Sequence, residues 1–221
     1  MTRMTIFAGV LLALAGCQVP QNAVQWLPDS SGFVQTKRAL VKGHSDREHL
    51  FHYSAVSWHI SEEGVRETPI VSGRGRPSLS PDGKKLAFAT MQESADGVEV
   101  QIHIYDLSGN EIHKSKPYLE PRLGTRPYWA DVVWSPNGHC LLICTTPQPG
   151  KTLETLAYDT NASDFRLFEG VSAPLMMDDV LGCSPCSSDG RGFLAARMKE
   201  DSPKGTHFEE LLFVEWDGQQ H

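Results

Sequence analysis

Four glycines mark a turn that recurs along the chain at a nearly constant interval. They follow one another after 51, 55 and 52 residues, at Gly32, Gly83, Gly138 and Gly190. In the best preserved copy, residues 77–90, the run Pro81-Asp82-Gly83 stands between two short apolar stretches. Proline presets φ, aspartate offers a side-chain hydrogen bond, and glycine accepts a positive φ. The segment predicts two antiparallel strands joined by a tight turn, and its recurrence predicts a repeat fold.

A second marker indicates the same repeat. An aromatic residue followed by a polar one lies 26, 22, 20 and 26 residues after the successive glycines, at Trp58, Tyr105, Tyr158 and Trp216. Apolar and polar residues alternate around these positions, as in a half-buried strand. A hairpin turn, such as residues 107–110, and a further short strand follow. Each unit therefore contains about four antiparallel strands.

Four-stranded antiparallel units at this period are typical of β-propeller blades. We expect an all-β fold with a propeller domain at 23–221, preceded by a leader at 1–16 and a tether at 17–22. The blades are expected at about 23–73, 74–126, 127–175 and 176–221.

The second repeat, in its segments 80–88 and 102–109, resembles the WD40-like (PD40) repeat of TolB-type propellers. The first and fourth copies depart from it, because residues 29–32 lengthen one turn and Ser188 replaces the proline of the other. The resemblance concerns architecture, so the turn residues are expected to be structural: Pro28, Asp29, Gly32, Pro81, Asp82, Gly83, Pro136, Asn137, Gly138, Asp189 and Gly190.

The number of blades raises the question of ring closure. Four blades are the smallest number that closes a propeller, and the last unit shows no fourth strand. Three arrangements are open: a small closed ring with a three-stranded last blade, a half-propeller completed by a second copy, or an open arc. An open arc exposes sheet edges and an apolar face, which soluble proteins avoid. We therefore expect a closed ring, with a homodimer as the alternative.

The N-terminus predicts export. Arg3 precedes an apolar run at residues 6–15, a pattern typical of a secretory signal and too short to span a bilayer. The ending Leu14-Ala15-Gly16-Cys17 resembles the lipobox of bacterial lipoproteins, which implies that Cys17 is lipidated and becomes the new N-terminus. Gln18 resembles the outer-membrane sorting pattern. The expected location is the cell envelope, on the periplasmic face of the outer membrane, with the membrane contacted through the lipid alone.

The charge of the chain limits the classes of partner that it is expected to bind. The formal net charge is -7, with 20 basic and 27 acidic residues. A nucleic-acid-binding protein needs a cationic face, so nucleic acid is not expected as a partner. The densest basic group, Arg74, Arg76, Lys84 and Lys85, is expected to be a solvated face.

Catalytic and cofactor motifs are missing from the sequence. There is no Gly-x-Ser-x-Gly elbow, no phosphate-binding glycine loop and no His-Glu-x-x-His pair. The histidines, His103 and His139 among them, are dispersed and are expected to point away from the core. Asp178-Asp179 is the one acidic pair that the repeat does not explain, and a solvated loop is the favoured interpretation. We expect no enzyme activity, no metal and no cofactor.

Four cysteines follow Cys17, and an oxidising envelope favours a structural disulfide among them. The pairing is open: Cys183 with Cys186, or Cys140 or Cys144 with a neighbouring blade. Zinc is disfavoured because Cys140 and Cys144, four apart on a strand, lie about 13 Å from each other.

The favoured function is a lipid-anchored, non-catalytic interaction module that binds an envelope protein or peptide, as the resemblance to TolB-like propellers implies. The alternative is a ligand-binding or enzymatic propeller, which acts on a glycan or small molecule through polar residues at the channel mouth. Specificity is expected at positions where the repeats differ.

Overall fold

The structure is a computed structural model. It describes residues 22–42, 49–73, 75–120, 130–145, 155–168, 171, 173–174, 186–187, 189–198 and 208–220. These residues form sixteen strands in four antiparallel sheets, and no helix occurs among them. The predicted leader, Cys17, Arg74, Asp178-Asp179 and Cys183 lie outside the described residues.

The first two sheets follow the predicted repeat, with each strand paired to the next along the chain. The first sheet comprises β1 (Asn22–Trp26), β2 (Gly32–Lys42), β3 (His49–Ser61) and β4 (Gly64–Gly73). The second comprises β5 (Ser78–Leu79), β6 (Lys85–Ser94), β7 (Gly97–Asp106) and β8 (Glu111–Lys114), and β9 (Tyr118–Glu120) also pairs with β7.

The third sheet has the same order, and the fourth has three strands. The third comprises β10 (Ala130–Trp134), β11 (Cys140–Thr145), β12 (Thr155–Asp159) and β13 (Asp164–Phe168). The fourth comprises β14 (Ala173–Pro174), β15 (Gly192–Met198) and β16 (Phe208–Glu215), with an isolated bridge between Cys186 and Phe193. Each sheet packs on the next one in the chain, as the blades of a β-propeller do, so the predicted fold class is confirmed.

A hydrogen-bonded serine closes the repeated turn. In the second blade the Ser80 hydroxyl donates to the Asp82 carboxylate at 2.6 Å and accepts the Lys85 backbone N–H at 2.9 Å. In the third blade Ser135 makes the corresponding bonds to Asn137 at 2.6 Å and from Cys140 at 2.9 Å. Gly83, Gly138 and Gly190 take φ values of 69°, 72° and 72°. The turn residues are thus held by local backbone geometry.

Three hydrophobic clusters join the four blades. Val34, Ala55 and Ile70 of the first blade pack against Leu86 of the second. The second and third blades share the largest cluster, which includes Ala87, Ile102, Ile104, Leu141 and Tyr158. The third and fourth blades share a cluster that includes Leu142, Phe168, Phe193 and Leu212. The second and third blades therefore bury both faces, and the first and fourth blades each bury the face that meets a neighbour in the chain.

The faces at the two ends of the array are exposed. Trp26 in β1 is 63% exposed and Leu211 in β16 is 61% exposed. The strand pairs in closest contact join successive blades only: β4 with β7, β5 and β6 with β10, and β11 with β14. Among the described strands, the first and fourth blades share no such contact. Ring closure within one chain stays a prediction, and in the described part of the chain the apolar residues Trp26 and Leu211 at the two ends face solvent.

Candidate functional site

A groove of about 300 Å³ lies between the second and third blades, on the face that carries the repeated turns. The two turns that bound it touch each other, since a Cβ atom on Gly138 would lie 3.9 Å from Pro81 Cδ. The β12–β13 turn of the third blade completes the rim with Thr160 and Asn161. The groove is thus built by turns from two blades.

The floor of the groove is rigid. Trp134 is buried, and its indole N–H donates to the carbonyl of Ser78 in the preceding blade at 3.0 Å. The hydrogen-bonded pair Ser80–Asp82 also lines the groove, as does Asn137, which accepts a hydrogen bond from Ser135. The hydrogen bond from Ser80 is the main reason why the pKa of Asp82 is lowered. Asp82 is therefore ionised at neutral pH and gives this wall a negative charge.

The rim carries residues that the repeat does not require. Lys85, His139 and Asn161 are exposed and line the groove. Thr160 fixes the two turns of the third blade together, because its backbone N–H and its hydroxyl donate to the His139 carbonyl at 2.8 and 2.9 Å. The rim combines a cation, an imidazole and an amide above an aromatic floor. Such a set can hold a polar ligand with apolar parts.

A second polar group crosses the second blade. The Nδ1 atom of His103 lies 2.5 Å from a Glu111 carboxylate oxygen, and its Nε2 atom lies 3.0 Å from the Thr90 hydroxyl. The His103 bond is the main reason why the pKa of Glu111 is lowered. Burial, followed by the charge of Glu111, raises the pKa of Tyr105, which stacks beside His103.

The order carboxylate, imidazole and hydroxyl is the one that hydrolases use to activate a hydroxyl nucleophile. Here the three side chains belong to β6, β7 and β8, and His103 is buried. The chain of bonds therefore also ties three strands together. His103 belongs to none of the three hydrophobic clusters, and both of its ring nitrogens bond to side chains of its own blade, so it has a packing role within the blade.

The cysteines are separated in the structure as far as it describes them. Cys140 is a half-buried free thiol whose pKa is raised to about 11, mainly by burial. Cys186 lies at the edge of the cluster between the third and fourth blades. Only the backbone of Cys144 is described. The disulfide between Cys183 and Cys186 stays a prediction.

Sequence reasoning missed the serine that precedes the turn in the second, third and fourth blades, and it missed the role of His103. The serine has a signal, because Ser80, Ser135 and Ser187 all stand two residues before an Asp or Asn. His103 has none, since its partners come from strands 13 residues before and 8 residues after it. Within the described ranges no group of three or more His, Cys, Asp or Glu side chains could hold a metal ion.

The blades and the groove between them define a β-propeller-type protein. No protein-family model and no curated protein matches the chain. It is similar to TolB from Acinetobacter baumannii, at 16% identity and a TM-score of 0.47, over 90% of this chain and 42% of that one. It is similar to an oligogalacturonate lyase in complex with manganese, at 16% identity and a TM-score of 0.49, over 92% and 54%.

A third similar structure is the periplasmic gluconolactonase of Pseudomonas aeruginosa, at 15% identity and a TM-score of 0.44, over 91% of this chain and 57% of that one. The chain spans about half the length of these three proteins. The resemblance to TolB-like propellers that the repeat predicted is confirmed as a likeness of fold.

The expectation that the protein is not an enzyme is wrong on these comparisons. A lyase and a lactonase stand beside TolB among the similar structures, so the fold gives no ground for excluding catalysis. The sequence motifs that we found missing belong to other folds and do not test a propeller. Among the described residues, none forms a helix of the length and hydropathy needed to cross a membrane.

Proposed function

We propose that this protein is an envelope propeller that binds a protein or peptide partner in the groove between its second and third blades. The observation that carries the proposal is the composition of the rim. Lys85, His139, Thr160 and Asn161 line the groove, and none of them belongs to the Pro-Asp-Gly core of the repeated turn. Residues that the fold does not need are available for recognition.

The rigid walls support binding. The Ser80–Asp82 and Ser135–Asn137 bonds fix both turns, and the Trp134 bond to Ser78 fixes the floor. A partner that enters the groove therefore finds turns and a floor that are already held in place, which lowers the entropic cost of association. Lys85 and Asp82 lie on the same wall, so a peptide that presents both charges is favoured over one that presents a single charge.

The proposal includes attachment to the envelope through a lipid on Cys17. Its support is the sequence Leu14-Ala15-Gly16-Cys17 after an apolar run. A diacylated cysteine supplies two chains, which is enough for stable anchoring. The Cys17→Ser variant is expected to leave the membrane fraction after cell breakage, and its continued presence there would contradict the anchor.

Site-specific photo-crosslinking in living cells tests the groove. A photoreactive amino acid at Asn161 should capture a partner of defined mass, while the same residue at Asp96, an exposed turn position of the second blade, should not. Asn161→Trp, which fills the groove without touching the turn motif, should reduce capture from a probe at His139. Equal capture from Asn161 and Asp96 would contradict the groove as the binding site.

A second candidate is a small polar ligand such as a glycan. The groove volume of about 300 Å³ favours it, because this is the lower end of the range for small-molecule sites. Under this alternative, crosslinking yields no protein partner, and oligosaccharides raise the melting temperature of the wild type but not of Asn161→Trp. Absence of both effects would contradict binding in the groove.

A further inference from the structure

We propose that the two exposed end faces of the blade array dock onto a second copy of this chain, with the fourth blade of each copy packing against the first blade of the other. The surfaces involved lie at the two ends of the array. They are separate from the groove of the proposed function, so either proposal can fail without the other.

The three internal junctions follow one rule. In each of the last three blades, one residue near the start of the second long strand pairs with the residue just before the repeated turn. This residue is Leu86, Leu141 or Phe193, and it faces the preceding blade. All three are fully buried. The next residue faces the following blade, and it is Val34, Ala87 or Leu142 in the first three blades, again buried.

The first blade has a face like those that pack against a preceding blade, but no blade precedes it in the described chain. The register pairs Trp26 with Phe33, so Phe33 occupies the position of Leu86, Leu141 and Phe193. Its ring packs between Trp26 at 5.3 Å and Trp58 at 5.9 Å. Val24 lies on the same face and is 49% exposed. The residues at the position of Phe33 in the other three blades are buried in the internal junctions.

The fourth blade has the opposite face uncovered. Leu194 occupies the position of Val34, Ala87 and Leu142, yet it is 40% exposed. Phe213 pairs with Leu194, and the exposed Leu211 lies two residues before Phe213 on the same face. The fourth blade thus exposes the face on which a following blade would pack. The first blade of another copy exposes the face on which a preceding blade would pack, so the two faces can meet.

A second copy is the occupant that satisfies both ends at once. Trp26, Leu194 and Leu211 are exposed, and among the described strands no pair in close contact joins the first blade to the fourth. Packing fourth blade on first blade repeats the internal junction, and two copies related by a twofold axis form two such contacts. The pair closes into a ring and leaves no apolar face uncovered.

Light scattering on the full chain in mild detergent, with the protein mass separated from the detergent, tests the pair. We expect a dimer over the micromolar range. Trp26→Asp and Leu211→Asp should each give a monomer, because each places a charge in both junctions. Ile112→Asp, at an exposed apolar position of β8 in the second blade, is the matched control and should stay dimeric.

The variants Trp26→Asp and Leu211→Asp distinguish the proposed contact from other ways in which two copies could meet. If first blades met first blades, Trp26→Asp alone would dissociate the pair, and if fourth blades met, Leu211→Asp alone would do so. Mixing the two variants should restore a weaker mixed dimer, since the fourth blade of one and the first blade of the other are intact. A monomeric wild type, or an open series of higher oligomers, would overturn the proposal.

Discussion

The hydroxyl of Ser80 donates a hydrogen bond of 2.6 Å to the carboxylate of Asp82 and also accepts the backbone N–H of Lys85. This serine connects the two ends of the turn, and it is buried whereas Asp82 is exposed. In the second and third blades, the turn is therefore held by the serine before the proline as much as by the Pro-Asp/Asn-Gly run itself.

Ser80→Ala should lower the free energy of unfolding by about 1 to 2 kcal/mol, because the substitution removes two hydrogen bonds and leaves a backbone N–H without its partner. Chemical denaturation of purified protein measures the change. Ser108→Ala is the control, since Ser108 is exposed and contributes its backbone N–H to the bond with Asp106. Equal effects of the two substitutions would contradict the role of Ser80.

The pKa of Asp189 is lowered to about 2, first by the Ser187 hydroxyl and then by Arg191. Because the unfolded carboxyl titrates near 4, the stabilisation by Asp189 is complete above that pH and is lost as the pH falls from about 4 to about 2. Asp189→Asn should therefore make the unfolding free energy depend less on pH in this window.

The converse substitution provides the control for Asp189. Asn137→Asp places a carboxylate where Ser135 and the His139 N–H already donate hydrogen bonds, so it should make stability depend more steeply on pH between about 4 and 2. Urea midpoints measured across this range test both variants. Unchanged slopes would show that neither turn holds its carboxylate in the ionised form.

Alanine substitutions at Gly83 and Gly138 distinguish the stability cost of backbone strain from that of a packing clash. Their φ values are 69° and 72°, so alanine is strained equally at both, by about 1 kcal/mol. A Cβ atom at Gly83 would also lie 2.2 Å from Pro28 Cδ, whereas at Gly138 the nearest atom is 3.9 Å away. Gly83→Ala should therefore cost about 2 to 4 kcal/mol and Gly138→Ala about 1. Equal losses of stability for the two substitutions would mean that Pro28 moves aside without a cost in free energy.

His103→Ala should destabilise the protein by about 2 to 3 kcal/mol, because a buried ring is lost and both Thr90 and Glu111 lose a partner. The pKa of Glu111 should rise towards its ordinary value, which NMR titration can measure. His139→Ala, at an exposed position, is the matched histidine control. A stable His103→Ala protein with lost activity on an ester would instead indicate that the three side chains act in catalysis.

The sequence predicted the blades well because the turn is a local structure. Proline, aspartate or asparagine, and glycine act within four residues, so the second and third copies can be recognised alone and the first and fourth by their spacing from them. The pairing of Trp26 with Phe33, Leu79 with Leu86 and Trp134 with Leu141 follows directly from the position of the turn.

Contacts between distant residues could not be predicted in this way. The Thr90–His103–Glu111 bonds depend on the register of three strands, and the groove depends on how two blades pack. Ring closure depends on the angle between neighbouring blades, which the packing of all the side chains in each junction determines. For this reason the exposure of Trp26 and Leu211 could not be read from the repeat.

The repeated turns also meet from blade to blade along one face. Pro28 stands against Gly83, Pro81 against Gly138, and Asn137 against Gly190. The three neighbours are not equally close, because a Cβ atom would lie 2.2 Å from Pro28 at Gly83 but 3.9 Å from Pro81 at Gly138 and 3.6 Å from Asn137 at Gly190. The junction of the first two blades is therefore the one at which the turns are packed most tightly, and a side chain added to this face is least tolerated there.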